Sequence, residues 1–239
     1  MKNSALGLLV FGLFSACSVW AEAAKTCSIE APVVATYKIR VEVPGGSKEN
    51  ILELWRYNNQ VAIRYPKTLV TEVWGKTKND RLHLVKIFEK HKRGIEYQPL
   101  EISGSHDWSV KRQLVSNEAI SKMRFIKSAG KGCNLIKNYS KQTNKGVRHL
   151  AWLENKALIK SYVESSDQRT STWTLLSTST KQQGIREKFR ALNSYDTVDY
   201  TDIGDNESDP FLTSMINFGF IENHSHGFYD SQGNAVHKH

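Results

Sequence analysis

The chain has 239 residues, with 33 Lys and Arg against 24 Asp and Glu, for a formal charge of +9. This length buries a sizeable core, which excludes a peptide hormone or a knottin. Its three cysteines include no Cys-x-x-Cys pair, so a dithiol redox centre of that kind is excluded too.

Residues 1–21 read as an export leader: Lys2 is the positive start, 5–16 form the apolar run, and Val19-Trp20-Ala21 offers a cleavage site. The run is too short to cross a hydrocarbon core that needs about 20 residues. Phe14-Ser15-Ala16-Cys17 is an imperfect lipoprotein box and keeps a second processing route open, in which Cys17 becomes a lipid anchor. Either route leaves Cys27 and Cys133, which export makes a disulfide pair. Closing that loop of about 105 residues is worth on the order of 4 kcal/mol in the chain-entropy model. A periplasmic location follows, with no transmembrane span in the mature chain. The expected partners of its basic surface are amphipathic or anionic lipids, lipoproteins or an envelope protein, not nucleic acid.

In chain order, Ala35, Tyr37, Ile39, Val41 and Val43 alternate with polar residues and predict a half-buried strand ended by Pro44-Gly45-Gly46. Segments 51–57 and 61–65 form a hairpin about Asn58-Asn59, and 68–74, 82–88 and 95–100 continue a meander. Between 107 and 126 the period changes and predicts one or two short helices, with Ser116 as an N-cap. Segments 135–139, 147–153, 157–163 and 172–176 predict a second antiparallel set. About nine short strands and a helical insert give a mainly β, α+β fold: a curved antiparallel sheet or incomplete barrel. Residues 22–182 form this β-rich domain. Residues 183–239 are a helical, acidic segment, with an apolar stripe at Ile185, Phe189 and Leu192 and a helix start at Ser208-Asp209-Pro210.

Motifs that carry chemistry are sparse. No Gly-x-Ser-x-Gly, Walker loop or Cys–His arrangement occurs, so the sequence predicts no enzyme. His224-Ser225-His226 and His237-Lys238-His239 place imidazoles two apart, a nitrogen-rich set suited to Cu(II), Ni(II) or Zn(II). The acidic run from Asp202 to Asp209 lacks an EF-hand pattern and reads as helix capping and solvation. Tyr37, Trp55, Trp152 and Trp173 fall in predicted strands; core filling is the plainer role of such rings, and lining a ligand cavity is the functional one.

The leader, the meander, the helical interruption and the run VRHLAWLENKALIKSY from Val147 together resemble periplasmic LolA/LolB-like and RseB-like proteins, over roughly residues 33–178. The resemblance implies an unclosed β-barrel with a helical lid that binds acyl chains or lipoproteins. It is one of pattern and brings no site residue with it. An envelope metal-binding protein using the terminal histidines, or a regulatory interaction module, are the alternatives. Intact-mass measurement on protein recovered from the envelope separates the two processing routes: unmodified protein starting at Glu22 means cleavage after Ala21, and an added diacylglyceryl group means processing at Cys17.

Overall fold

Uninterrupted alternation from Val33 to Val43 produces the central strand of the molecule. In the computed structural model, which describes residues 27–203 and 208–217, β1 (Val33–Val43) hydrogen-bonds to β2 (Gly46–Tyr57) on one side and to β11 (Thr170–Ser179) on the other. The β1–β2 turn is tight, with Val43 opposite Gly46, and Gly45 supplies its φ of 96°. Asn58, at φ 51°, turns β2 into β3 (Gln60–Tyr65), and β4 (Val70–Lys76), β5 (Leu82–Phe88) and β6 (Arg93–Tyr97) extend the meander. Two short helices follow, α1 (Trp108–Gln113) and α2 (Asn117–Ser121), N-capped by the side chains of Asp107 and Ser116. Then β7 (Arg124–Ala129), β8 (Ile136–Thr143), β9 (Gly146–Leu153) and β10 (Leu158–Ser165) run antiparallel back to β11.

The resulting sheet has twelve strands in the order β12-β6-β5-β4-β3-β2-β1-β11-β10-β9-β8-β7, curved and not closed into a barrel. Two of these strands depart from the sequence reading. The helical segment expected up to residue 126 ends earlier, because Arg124–Ala129 pairs with β8 as the strand at one end of the sheet. At the other end, β12 (Asp196–Asp199) adds to β6 in parallel, in a segment whose acidic composition carries no strand signal.

The two faces of the sheet are covered differently. On the outer face, the Ile185, Phe189 and Leu192 stripe of α3 (Gln182–Leu192) packs on Ala62, Val73 and Ile87. Each of these side chains, fully buried, stabilises by about 1.5–3 kcal/mol. The inner face carries the main core. Its β5–β6 end is closed by α4 (Pro210–Asn217), whose Phe211 meets Phe88 edge-on at 5.5 Å and lies 4.8 Å under the Arg93 guanidinium. Asp209 starts that helix, accepting from the Phe211 amide at 2.9 Å and from Arg93 at 2.5 Å. No helix among the described residues is long and apolar enough to cross a membrane, a statement that does not bear on strands.

One inner-face residue ties the two halves of the sheet. Arg56 of β2 is buried and donates to the carbonyl oxygens of Lys156 at 2.6 Å and Ala157 at 3.2 Å, a hundred residues away. On a flat sheet β2 and β10, three strand spacings apart, would be about 14 Å from each other. Closing that gap takes an inward bend of the sheet together with the 3-10 turn at Glu154–Lys156. The Cys27–Cys133 disulfide ties the start of the chain to the β7–β8 connection, with Cα atoms 5.1 Å apart.

Two outcomes are expected. Arg56→Ala takes the donor from the buried Ala157 carbonyl and the part-buried Lys156 carbonyl and lowers stability by about 2–4 kcal/mol in urea unfolding. Burial disfavours the Glu89 carboxylate, but hydrogen bonds from Arg64 and Thr71 and the charges of Lys188 and Arg64 outweigh it and hold its pKa below the usual range. A depressed carboxylate stabilises the fold above its unfolded pKa, and that contribution disappears as pH falls through the folded value. Glu89→Gln is therefore less stable than the parent at neutral pH, and the gap closes in acid.

Candidate functional site

Between β2 and β6 much of the inner face is covered by described residues. α1 lies over it, with Arg112 donating to Asn58 O at 3.1 Å, Ile29 O at 3.0 Å and Glu30 Oε2 at 2.8 Å. Below the helix, Lys111 Nζ sits 3.8 Å from the Trp74 ring centroid, and Trp74 Nε1 donates to Glu72 at 3.0 Å. Burial pushes the pKa values of both Lys86 and Lys111 down, against the pull of Glu72. Half of the inner face is a packed core with charges sealed inside it.

The other half is open. A cavity of about 840 Å³ lies between the β8–β9 and β10–β11 hairpins. Register places its walls: Arg148 on β9 faces Glu164 on β10 and Lys141 on β8, while Tyr162 on β10 faces Trp173 on β11. Trp173 and Tyr162 form the apolar floor, and Lys141, Lys145, Arg148 and Arg169 surround it with positive charge. Among the described residues of the lining the one carboxylate is Glu164, held by Arg148 at 2.5–2.7 Å. Burial, reinforced by Glu164, pushes the Tyr162 hydroxyl up to about 12, so it stays a neutral donor at physiological pH. A second cavity of about 310 Å³ opens between α2 and the Tyr139 and Trp152 side chains.

The predicted ligand residues separate by face. Trp173 lines the large cavity and Trp152 the small one. Tyr37 is fully buried beneath Trp173, at 6.3 Å between ring centroids, and supports the floor without reaching the cavity. Trp55 points the other way. Alternation along β2 turns Leu52, Leu54 and Arg56 inward, which puts Trp55 on the outer face beside the α3 cluster, its Nε1 on Glu53 at 3.2 Å. Tyr162, Arg148, Arg169, Lys141 and Lys145 were not singled out from the sequence. Their signal lies in the pairing of strands, because Tyr162 gains its meaning only when set opposite Trp173. His224, His226, His237 and His239 lie outside the described residues. Among those described, no group of three or more His, Cys, Asp or Glu is placed to hold a metal ion.

No family model matches the sequence, and no curated protein matches it. Several solved structures do match. A domain described as an outer membrane lipoprotein-sorting protein from Vibrio parahaemolyticus is 7% identical, with 72% of this chain and 96% of that one covered and a TM-score of 0.35. A LolA superfamily protein from Nitrosomonas europaea is 7% identical, with coverages of 67% and 91% and a TM-score of 0.27. MucB from the Pseudomonas aeruginosa MucA/MucB complex is 10% identical, with coverages of 70% and 59% and a TM-score of 0.34, so this chain spans about three-fifths of its length. At this level of likeness no residue's role passes from them to this chain.

Gly146, at φ 145°, lets the hairpin tips meet: a Cβ there would run into the Ser165 carbonyl oxygen. Gly146→Ala is expected to cost about 1–3 kcal/mol by forcing the two hairpins apart, read by thermal unfolding against the parent.

Proposed function

We propose that this chain is a non-enzymatic binding protein of the periplasm, taking an amphipathic ligand with an anionic head, a lipid or a lipoprotein, into the cavity between β8 and β11. The observation that carries the reading is the make-up of that cavity. Two aromatic rings form a floor able to cover an acyl or other apolar body, and four cations with one engaged carboxylate form the rim. Its size falls within the range of small-molecule sites, about 300–1,000 Å³. An acyl chain laid on Trp173 and Tyr162 gains from leaving water, while Lys141, Lys145 and Arg169 meet the charged head. Arg148 is already half committed to Glu164 and serves to fix the geometry of the wall.

The titratable groups present fit binding better than turnover. The hydroxyls beside the cations, Thr143, Ser165, Ser166 and Ser171, have no histidine or free carboxylate in the described lining to act as their base, and Glu164 is paired with Arg148. The resemblance of the strand pattern to LolA/LolB-like and RseB-like proteins is consistent with this reading but does not choose the ligand.

Titration with fluorescently labelled phosphatidylglycerol tests the proposal. The parent protein is expected to bind it more tightly than labelled phosphatidylcholine. Trp173→Ala weakens binding by roughly tenfold, the loss of one buried aromatic anchor. Trp55→Ala, on the outer face, leaves it unchanged. Equal affinity of all three proteins, or no binding by any, would overturn the proposal.

A further inference from the structure

The free edge of the sheet next to this cavity has a composition of its own. Residues 119–153 contain eight Lys and Arg and no Asp or Glu. They form β7, β8, β9 and their turns, so the fold gathers them at the β7 end of the sheet. Three of the eight are ion-paired to carboxylates from outside the segment: Lys122 with Glu118, Lys137 with Glu154 and Arg148 with Glu164. Arg124, Lys127, Lys131, Lys141 and Lys145 make no salt bridge among the described residues.

All six residues of β7 are exposed, including two adjacent large apolar side chains, Phe125 at 52% and Ile126 at 45%. The register slips between Phe125 and Lys127, a bulge that leaves Ile126 without a partner on β8. A bulge and a lysine on an edge strand both discourage the addition of another strand, so an extended peptide is a poor fit. An apolar pair bracketed by Arg124 and Lys127, backed by further unpaired cations, has the layout of a membrane-surface contact: rings and branched chains at the headgroup boundary, cations on lipid phosphates.

We infer that the β7 edge, with Phe125 and Ile126 at its centre, docks this protein on a membrane surface rich in anionic lipid. Arg124, Phe125, Ile126, Lys127 and Lys131 lie outside the cavity lining, and only Lys141 and Lys145 are shared with its rim, so the β7 edge can be tested apart from ligand binding. Docking there would bring the open half of the sheet, and not its packed half, next to the bilayer.

Co-sedimentation of the full chain with lipid vesicles tests this. The protein is expected to pellet with phosphatidylcholine vesicles that contain roughly one phosphatidylglycerol in three, to stay in solution with phosphatidylcholine alone, and to be released by added salt. Replacing Arg124 and Lys127 together by Glu should lower the bound fraction by roughly tenfold or more. Phe125→Ser with Ile126→Ser should lower it at unchanged salt sensitivity; the Arg124 and Lys127 variant should melt with the parent, and the Phe125 variant slightly below it, because it gives up the edge-on contact of Phe125 with Tyr139. Trp173→Ala should still pellet, which separates this surface from the cavity. Equal recovery from both kinds of vesicle, recovery from neither, or edge variants that bind like the parent would overturn the inference. Retention on poly-glutamate through the same residues, with vesicles ignored, would overturn it in favour of an acidic polypeptide partner.

Discussion

A guanidinium sealed inside the protein sets the shape of this sheet. Arg56 gives its hydrogen bonds to two carbonyls that lie beyond β1 and β11, and the sheet has to bend for them to meet. Burying a charge is costly unless its donors are used, so the bond is made at the cost of curvature. Burial pushes the Arg56 pKa down to about 10, and the neighbouring Arg112 cation adds to that shift. Tyr37, packed under the same bend and facing Arg56, has its hydroxyl pushed up by burial.

From that bend the division of the inner face follows. On the β2–β6 side, α1 and α4 bring Trp108, Phe211, Leu212 and Met215 onto the sheet and fill it. The lysines enclosed there keep aromatic rings and Glu72 as their surroundings in place of water. On the β7–β11 side, among the described helices only the short α2 leans in, and Tyr139, Tyr162 and Trp173 stay partly exposed. The same curved layer is thus a core at one end and a receptive surface at the other, and the difference lies in which helices reach it.

Much of this architecture was legible in the sequence, and for a local reason. Period-two alternation over Ala35 to Val43 and the Asn58 turn are short-range signals, as are the stripe at Ile185, Phe189 and Leu192 and the cap at Asp209. What could not be read was long-range. β7 hides between helix-like residues and glycines and becomes a strand only by pairing with β8. β12 is made of acidic residues and is held by its parallel partner. The two faces of β2 were distinguishable by alternation, yet which face would carry the cavity depends on where α3 docks, and this is why Trp55 was grouped with Trp173. Likewise the cavity is contributed by four strands and two turns, and its two stretches, 141–148 and 162–173, meet only through the pairing of β9 with β10.

The account rests on the open half of the inner face being where a ligand sits. The most direct check is to follow the indole N–H resonances of Trp55, Trp74, Trp152 and Trp173 while adding lysophosphatidylglycerol below its micelle concentration. The structure predicts a large, saturable shift at Trp173, a smaller one at Trp152, and none at Trp55 on the outer face or Trp74 under α1. Shifts at Trp55 or Trp74 that match that of Trp173, or a Trp173 resonance that does not move, would contradict it.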